Sequence, residues 1–401
     1  MNGNKIAFHE ITNEMREKIS INAGEITDDE ALLMIENHVL ETGKFSLYSV
    51  HEKSEIIKRV FCALRKDLDI LQQYADDDEI SEIMVNGKDD IFLERRGKIE
   101  KANVFFEKTE DLEEVIRRIC AKVHREINEL NPIVDARLAN GSRVNAVYKN
   151  IAINGPILTI RKFPKKEITM EMLITNETIS DEAADFMRKL IVAGYNIFVS
   201  GGTSSGKTTF LNVLSAYIPK EERVIVIEDS AELQINEIRN IVRLECRNAN
   251  VQGKGKVDMK QLIKTSLRMR PDRIIVGEVR GEEVLDMIQA MNTGHDGSLS
   301  TGHGNSIEGM LRRLESMFLQ AADFPIEAIR SQIAEGIDII VHMGRLSDKS
   351  RKVLEIAEIR GFDGSNILIN QLFKYKINKG LVRSENELFN IEKLELKRID
   401  L

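Results

Sequence analysis

Apolar residues recur at helical spacing through the first part of the chain, where Ile56, Ile57, Val60, Ala63 and Leu64 share one face and no proline interrupts residues 1–73. This predicts a helical N-terminal segment. From Ile80 the period shortens. Ile83-Met84-Val85 precedes Asn86-Gly87, and Ile91-Phe92-Leu93 precedes Arg96-Gly97, as short strands closed by turn residues do. Leu112, Val115, Ile116, Ile119 and Val123 return to one helical stripe. Val134–Leu138 and Val144–Val147 then flank the hairpin turn Asn140-Gly141, and Ile157–Ile160 supplies another strand. Residues 74–163 therefore read as a small α+β domain.

The polar run Lys162-Phe163-Pro164-Lys165-Lys166-Glu167 predicts a linker, taken as residues 164–176. Beyond it, strand and helix alternate: Asn196–Ser200, a helix after Gly206, Val224–Ile227, Ile274–Val276 and a helix from Glu282. Such alternation predicts a mostly parallel sheet with helices on both faces across residues 177–401. Ile339–Met343 and Val353–Ile359, on either side of Ser347-Asp348-Lys349-Ser350, predict an antiparallel hairpin appended to that core.

Composition narrows the class. With 401 residues, 42% hydrophobic and 30% charged, the chain has material for more than one core and a well-solvated surface. Acidic residues outnumber basic ones 65 to 57, a net charge of -8, and aromatic residues make up 5%. This balance argues against the phosphate tracks and stacking platforms of a nucleic-acid binder. Cys62, Cys120 and Cys246 are odd in number and far apart, which suggests neither a disulfide framework nor a zinc site and fits a reducing cytoplasm. Apolar runs fall well short of the ~18 residues that a membrane span needs. The first residues also lack the apolar core of a signal peptide.

Gly201-Gly202-Thr203-Ser204-Ser205-Gly206-Lys207-Thr208 follows the apolar strand Ile197-Phe198-Val199 and opens a helix with Phe210, Leu211, Leu214, Tyr217 and Ile218 on one stripe. A loop that wraps backbone amides around phosphate oxygens needs glycines where a Cβ would block the approach. Gly201 and Gly206 meet that need, Lys207 supplies charge to the outer phosphates, and the Thr208 hydroxyl completes the shell of Mg²⁺. Gly201 to Thr209 is thus a candidate ATP site. Hydrolysis further requires an oriented water and a neutralised transition state. Val224-Ile225-Val226-Ile227 ends at Glu228-Asp229, carboxylates that either serve this chemistry or cap the next segment. Arg273-Ile274-Ile275-Val276-Gly277-Glu278 repeats the pattern, with Gly277 where many P-loop proteins place aspartate. The polar stretch Thr293 to Ser306 carries His295 and His303, which read together as γ-phosphate sensors in a flexible loop. Lys256, Lys260, Lys264 and Arg268 form a basic helical stripe, either a solvated face or a contact for an acidic partner.

Taken together, these motifs resemble the type II/type IV secretion and pilus ATPase family over roughly residues 80–360. Ser200 to Thr209 resembles its Walker A, Val226-Ile227-Glu228-Asp229-Ser230-Ala231-Glu232 its Asp box, Arg273 to Arg280 its atypical Walker B, and Thr293 to Ser306 its His box. Ile80-Ser81-Glu82-Ile83-Met84-Val85-Asn86-Gly87 and Pro132-Ile133-Val134-Asp135-Ala136-Arg137-Leu138 point to the tight-adherence pilus branch. The resemblance implies an α/β fold: a C-terminal RecA-like P-loop ATPase domain, preceded by a small α+β, PAS-like domain and the helical segment. It implies Glu228 as general base, Glu278 in the Mg²⁺ shell and His303 as sensor. It also implies that arginines of the small domain reach the nucleotide, with Arg143 and Arg161 at matching positions and Arg137 as a third choice, although surface arginines have the same composition.

The resulting expectation is an ATP-hydrolysing ring, a homohexamer, that powers assembly of a pilus or secretion through an inner-membrane platform protein. It would be cytoplasmic, peripherally held at the inner face of the membrane, with no nucleic acid as partner. A nucleic-acid motor and a non-hydrolysing nucleotide-gated scaffold are the competing readings.

Overall fold

Hydrophobic residues gather into separate cores on either side of residue 166, and the chain divides accordingly into two compact units, Met1–Lys166 and Glu167–Leu401. The computed structural model describes residues 26–401 apart from 42, 46–47, 96, 139, 164–167, 248 and 250–253, together with residues 11, 12, 14–16 and 18. Most of the polar run at 162–167, the predicted linker, therefore lies outside the described residues.

In the first unit, α1 (Asp28–Glu41) and α2 (Val50–Arg65) form because each presents an apolar face. Ser49 caps α2: the Glu52 amide donates to Ser49 Oγ at 3.3 Å, and Glu52 accepts from the Ser49 amide at 2.8 Å. The short α3 (Gln72–Asp76) leads into β1 (Ile80–Asn86), β2 (Ile91–Arg95) and β3 (Lys98–Lys101), followed by α4 (Thr109–Lys122), β4 (Ile133–Arg137), β5 (Arg143–Val147) and β6 (Ile157–Arg161). Among the described residues the strands make one antiparallel sheet in the order β3-β2-β1-β6-β5-β4. Val60 of α2, Leu71, Ile83 of β1 and Ile116 of α4 share a single core.

The second unit begins with α5 (Met170–Thr175), capped by Thr169, and α6 (Asp181–Ala193), capped by Ser180 and closed by Gly194 in the left-handed region. The predicted linker thus ends in a helix whose Met170 and Leu173 enter the second core. There follow β7 (Ile197–Gly201), α7 (Lys207–Ser215), β8 (Arg223–Glu228), β9 (Asn240–Glu245), α8 (Met259–Ser266), β10 (Arg273–Val279), α9 (Glu283–Asn292), β11 (Leu299–His303), α10 (Ile307–Ala321) and α11 (Ile326–Gly336). The chain finishes with β12 (Ile339–Arg345), β13 (Arg351–Phe362), β14 (Ile367–Lys376), β15 (Gly380–Arg383) and α12 (Glu392–Lys397). Among the described residues the sheet order is β15-β14-β13-β12-β7-β11-β10-β8-β9, parallel from β12 to β9.

One expectation is refined here and one changes. The antiparallel hairpin of β12 and β13 forms as expected, but β12 also pairs parallel with β7 and so belongs to the core sheet, and the antiparallel extension continues through β14 to β15. The stretch Thr293 to Ser306 is not one flexible loop, since β11 lies within it as a central strand. Its polarity hid it. A Cβ on Gly302 would stand 2.9 Å from both Met310 Cε and Phe198 Cζ, so close packing excludes a large side chain there. Thr301 hides its hydroxyl by donating to the Gly277 carbonyl at 2.7 Å.

Candidate active site

Register decides what meets at the C-terminal edge of the parallel strands. β11 pairs His303 with Gly201 of β7, and β10 pairs Val279 with Gly302 of β11, so the end of each strand lies beside its neighbour's. Gly201 enters the loop where a Cβ would lie 2.5 Å from Met343 O and Ser205 Oγ. Ser204 and Gly206 take positive φ, 57° and 96°, which turns the backbone back toward α7. No side chain caps α7 at Gly206, and Ser205 Oγ is buried without a partner among the described residues. The loop therefore keeps helix N-terminal amides and a hydroxyl for an anion.

Lys207 is 7% exposed, donates from Nζ to Gly202 O at 3.0 Å, and stands 3.4 Å from His303 Nδ1. Burial lowers its pKa, Glu278 opposes that shift, and Arg280 adds to it. His303 Nε2 lies 2.7 Å from Glu278 Oε1. Burial, with help from Lys207, Arg280 and Arg313, lowers the His303 pKa against the pull of Glu278, which favours the neutral ring. The partners assign its tautomer: Nε2–H faces the carboxylate, and the Nδ1 lone pair faces the ammonium. Glu278 Oε2 accepts from Arg280 Nη2 at 2.7 Å and Nε at 2.9 Å, and Arg280 Nη1 stands 3.7 Å from Asp229 Oδ2. The structure thus brings Lys207, Glu278 and His303 together. It adds Arg280 as the clamp on Glu278.

Glu228 ends β8, is 4% exposed, and accepts at Oε1 from the amides of Glu232 at 2.8 Å and Leu233 at 3.0 Å. Burial raises its pKa, and those two amides pull the other way. Its neighbour across the β8–β10 pair explains the odd glycine of the Walker B-like segment. A Cβ on Gly277 would approach Glu228 Cγ at 3.0 Å, so the small residue leaves the carboxylate its place. Thr208 and Thr209 stand half-buried in the first turn of α7, while Gly202, Thr203 and Ser204 form the more open lip of the loop. These residues fit phosphates and a divalent cation: a cradle that a Cβ would fill, an uncapped helix start, a lysine, and the Thr208 hydroxyl in the first turn of α7.

His295 does not join them. It precedes β11, at the strand end opposite His303, and its Nδ1 lies 3.1 Å from the Ala290 carbonyl. The paired-sensor reading is corrected: His295 caps the end of α9, as a histidine three residues past a helix end can. The basic stripe is also accounted for in part. Lys260 pairs with Glu282 at 2.7 Å and Lys264 with the buried Asp286 at 3.5 Å, so two of its four cations are engaged within the chain.

Arg143 and Arg161 belong to the first unit, where they are direct cross-strand partners on β5 and β6. Arg137 pairs with Arg143 from β4, and Glu82 with Arg161 from β1. Three arginines therefore occupy adjacent strands in one row. The family resemblance pointed to these residues but could not show that they are neighbours.

Residues 65–379 match the family described as Type II/IV secretion system protein. The chain is 34% identical over 292 residues to the conjugal transfer protein TrbB of Rhizobium radiobacter, covering 72% of this chain and 86% of that protein. It is 31% identical to the type IV secretion system protein PtlH of Bordetella pertussis, covering 72% and 93%. An uncharacterized protein of Methanocaldococcus jannaschii is 42% identical over 242 residues, or 58% of this chain, and the match spans 33% of that longer relative. Among solved structures, the pilus retraction motor PilT with bound ADP shares the fold at TM-score 0.53 and 19% identity, covering 82% of this chain and 86% of that one. The DotB ATPase of Yersinia pseudotuberculosis does so at 0.54 and 18%, covering 73% and 79%. The fold is α/β with mixed sheets, as in those structures, and on the matched residues and these relatives the chain belongs to the Type II/IV secretion system protein family.

Proposed function

We propose that this protein hydrolyses ATP to drive a secretion or pilus machine, and that it works as a ring of identical subunits, a homohexamer, against a platform protein in the inner membrane. The observation that carries the reading is the convergence of Lys207, His303 and Glu278 beside an uncapped P-loop helix, with Glu228 buried next to them. Glu228 accepts the proton of the attacking water, and its raised pKa makes it a better base than a free glutamate. Lys207 and the loop amides hold the phosphates, and Thr208 and Glu278 would hold Mg²⁺, which would neutralise phosphate charge. His303 links Lys207 to Glu278 and so registers the outer phosphate. Arg143 and Arg161 supply further positive charge to the nucleotide. The relatives named for conjugal transfer and type IV secretion support the secretion reading. The motifs at 80–87 and 132–138 favour the tight-adherence pilus branch. Among the described residues no helix is long and apolar enough to cross a membrane. The reading places the ring at the membrane's inner face, held by its platform partner.

Phosphate release by the purified full chain tests the proposal. ATP turnover should be lost in Lys207→Ala and fall by about 10² to 10⁴-fold in Glu228→Gln. Turnover that survives Glu228→Gln unchanged removes Glu228 as the base. A wild-type chain that binds ATP without releasing phosphate makes it a nucleotide-gated scaffold instead. Stimulation by single-stranded DNA at low salt favours a nucleic-acid motor.

A further inference from the structure

A cleft opens between the lip of the P-loop and the first turns of α10, lined by Gly202, Thr203, His303, Asn305, Gly309 and Arg313. α10 starts at Ser306, whose hydroxyl accepts from the Gly309 amide at 2.9 Å. Ser306, Gly309 and Arg313 follow at intervals of three and four, so they share one helix face, and that face borders the cleft. Gly309 carries no side chain to fill the space between the loop and Arg313.

Charge is unevenly distributed around this cleft. Glu278 is engaged by Arg280 on one oxygen and faces His303 with the other. Glu315, two residues further along α10, is held by Arg330 at 2.9 Å. Arg313 makes no hydrogen bond or ion pair among the described residues, yet its field reaches His303 and helps to disfavour the imidazolium. Two cations, Lys207 and Arg313, are left on either side of Gly202 and Thr203. An anion on the lip balances them.

The position on the loop says which anion. Amides at the helix end of a P-loop cradle the inner phosphates, and the lysine bridges to the outermost one. Gly202 and Thr203 lie at the far lip, beside the end of the phosphate chain that a triphosphate has and a diphosphate lacks. We infer that Arg313, supplied by the same chain, is a catalytic residue that contacts the terminal phosphate of ATP, and that it makes the site select nucleoside triphosphate over diphosphate. This inference rests on the nucleotide reading of the P-loop. A planar guanidinium suits the purpose because its fork meets two phosphate oxygens at once, which a lysine ammonium does not.

The test compares wild type, Arg313→Gln, Arg313→Lys and the control Arg312→Ala, all as full chains. Binding of fluorescent ADP and of a non-hydrolysable ATP analogue is measured together with steady-state turnover, and thermal melting reports whether each variant is folded. In Arg313→Gln, ADP affinity should stay within about twofold while analogue affinity falls roughly tenfold or more and kcat about 10²-fold or more. Arg313→Lys should recover part of the analogue affinity but little of kcat, and Arg312→Ala should match wild type. Equal weakening of both nucleotides, or an unchanged ratio of affinities, overturns the inference while leaving the nucleotide site intact. A wild type that binds neither nucleotide overturns both the site and this inference.

Discussion

At the scale of single residues, Glu228 and Gly277 make one device. The glycine leaves room for a buried carboxylate, and burial raises that carboxylate's pKa. Gly277→Ala would press a methyl against Glu228 Cγ, and turnover is expected to fall about tenfold or more with a stability loss of about 1–2 kcal/mol, read by phosphate release and thermal melting. The pKa shift carries a second consequence. A carboxyl whose folded pKa is raised favours the fold while protonated and loses that contribution as pH rises through the raised value, so at neutral pH the buried carboxylate costs stability. Glu228→Gln keeps an acceptor for the Glu232 and Leu233 amides and removes the charge. Its melting temperature at neutral pH should rise by about 2–4 °C while turnover falls, and the difference should shrink as pH drops toward the ordinary glutamate range. An unchanged melting temperature at neutral pH argues that the carboxylate is well compensated. In wild type, kcat should decline on acidification from a pH above that of a free glutamate, because the base must be ionised to act.

At the scale of elements, what could be read from the chain followed side-chain period and apolarity. The strands at Ile197, Val224 and Ile274 are continuous apolar runs buried on both faces, and they were legible for that reason. β11 was not, since Ser300, Thr301, Gly302 and His303 look like loop residues, and only the packing of Phe198 and Met310 on Gly302 shows why a central strand is small and polar there. β12 was legible as half of the hairpin with β13, but its parallel pairing with β7 was not, because that is a long-range contact. Among the residues of the candidate site, Lys207 and the acids after apolar strands could be picked out from their spacing. Arg313 gave no signal, as an arginine on the polar side of an amphipathic helix is ordinary. The C-terminal segment shows another element that pattern alone misses. Glu358 on β13 is 1% exposed and accepts from the amides of Phe389 at 2.9 Å and Asn390 at 2.6 Å, and from Asn370 Nδ2 at 2.8 Å. Nearby, Lys393 of α12 bonds Asp338 and Asp296 at 2.7 Å each. Glu358→Ala leaves several buried donors unpaired and should cost about 3 kcal/mol in a denaturant titration, with ADP affinity unchanged. Glu358→Gln should cost less.

At the scale of the whole molecule, the row Arg137, Arg143, Arg161 sets three like charges side by side on adjacent strands of the first unit. Directly opposed side chains in an antiparallel sheet lie on one face with Cβ atoms about 4.5–5.5 Å apart, and like charges at that separation oppose one another. Glu82 beside Arg161 offsets part of this at one end of the row, and burial raises the Glu82 pKa while Arg161 lowers it. Under the proposed function these arginines serve the nucleotide, so Arg143→Ala and Arg161→Ala should each lower kcat at least tenfold while the variants stay folded in thermal melting. The double variant should fall short of the product of the two, because both residues act on one anion. ADP binding to the second unit should be nearly unaffected, as its loop amides and Lys207 remain. Variants that lose stability and keep their turnover per folded molecule would return these arginines to the surface, where composition alone would put them.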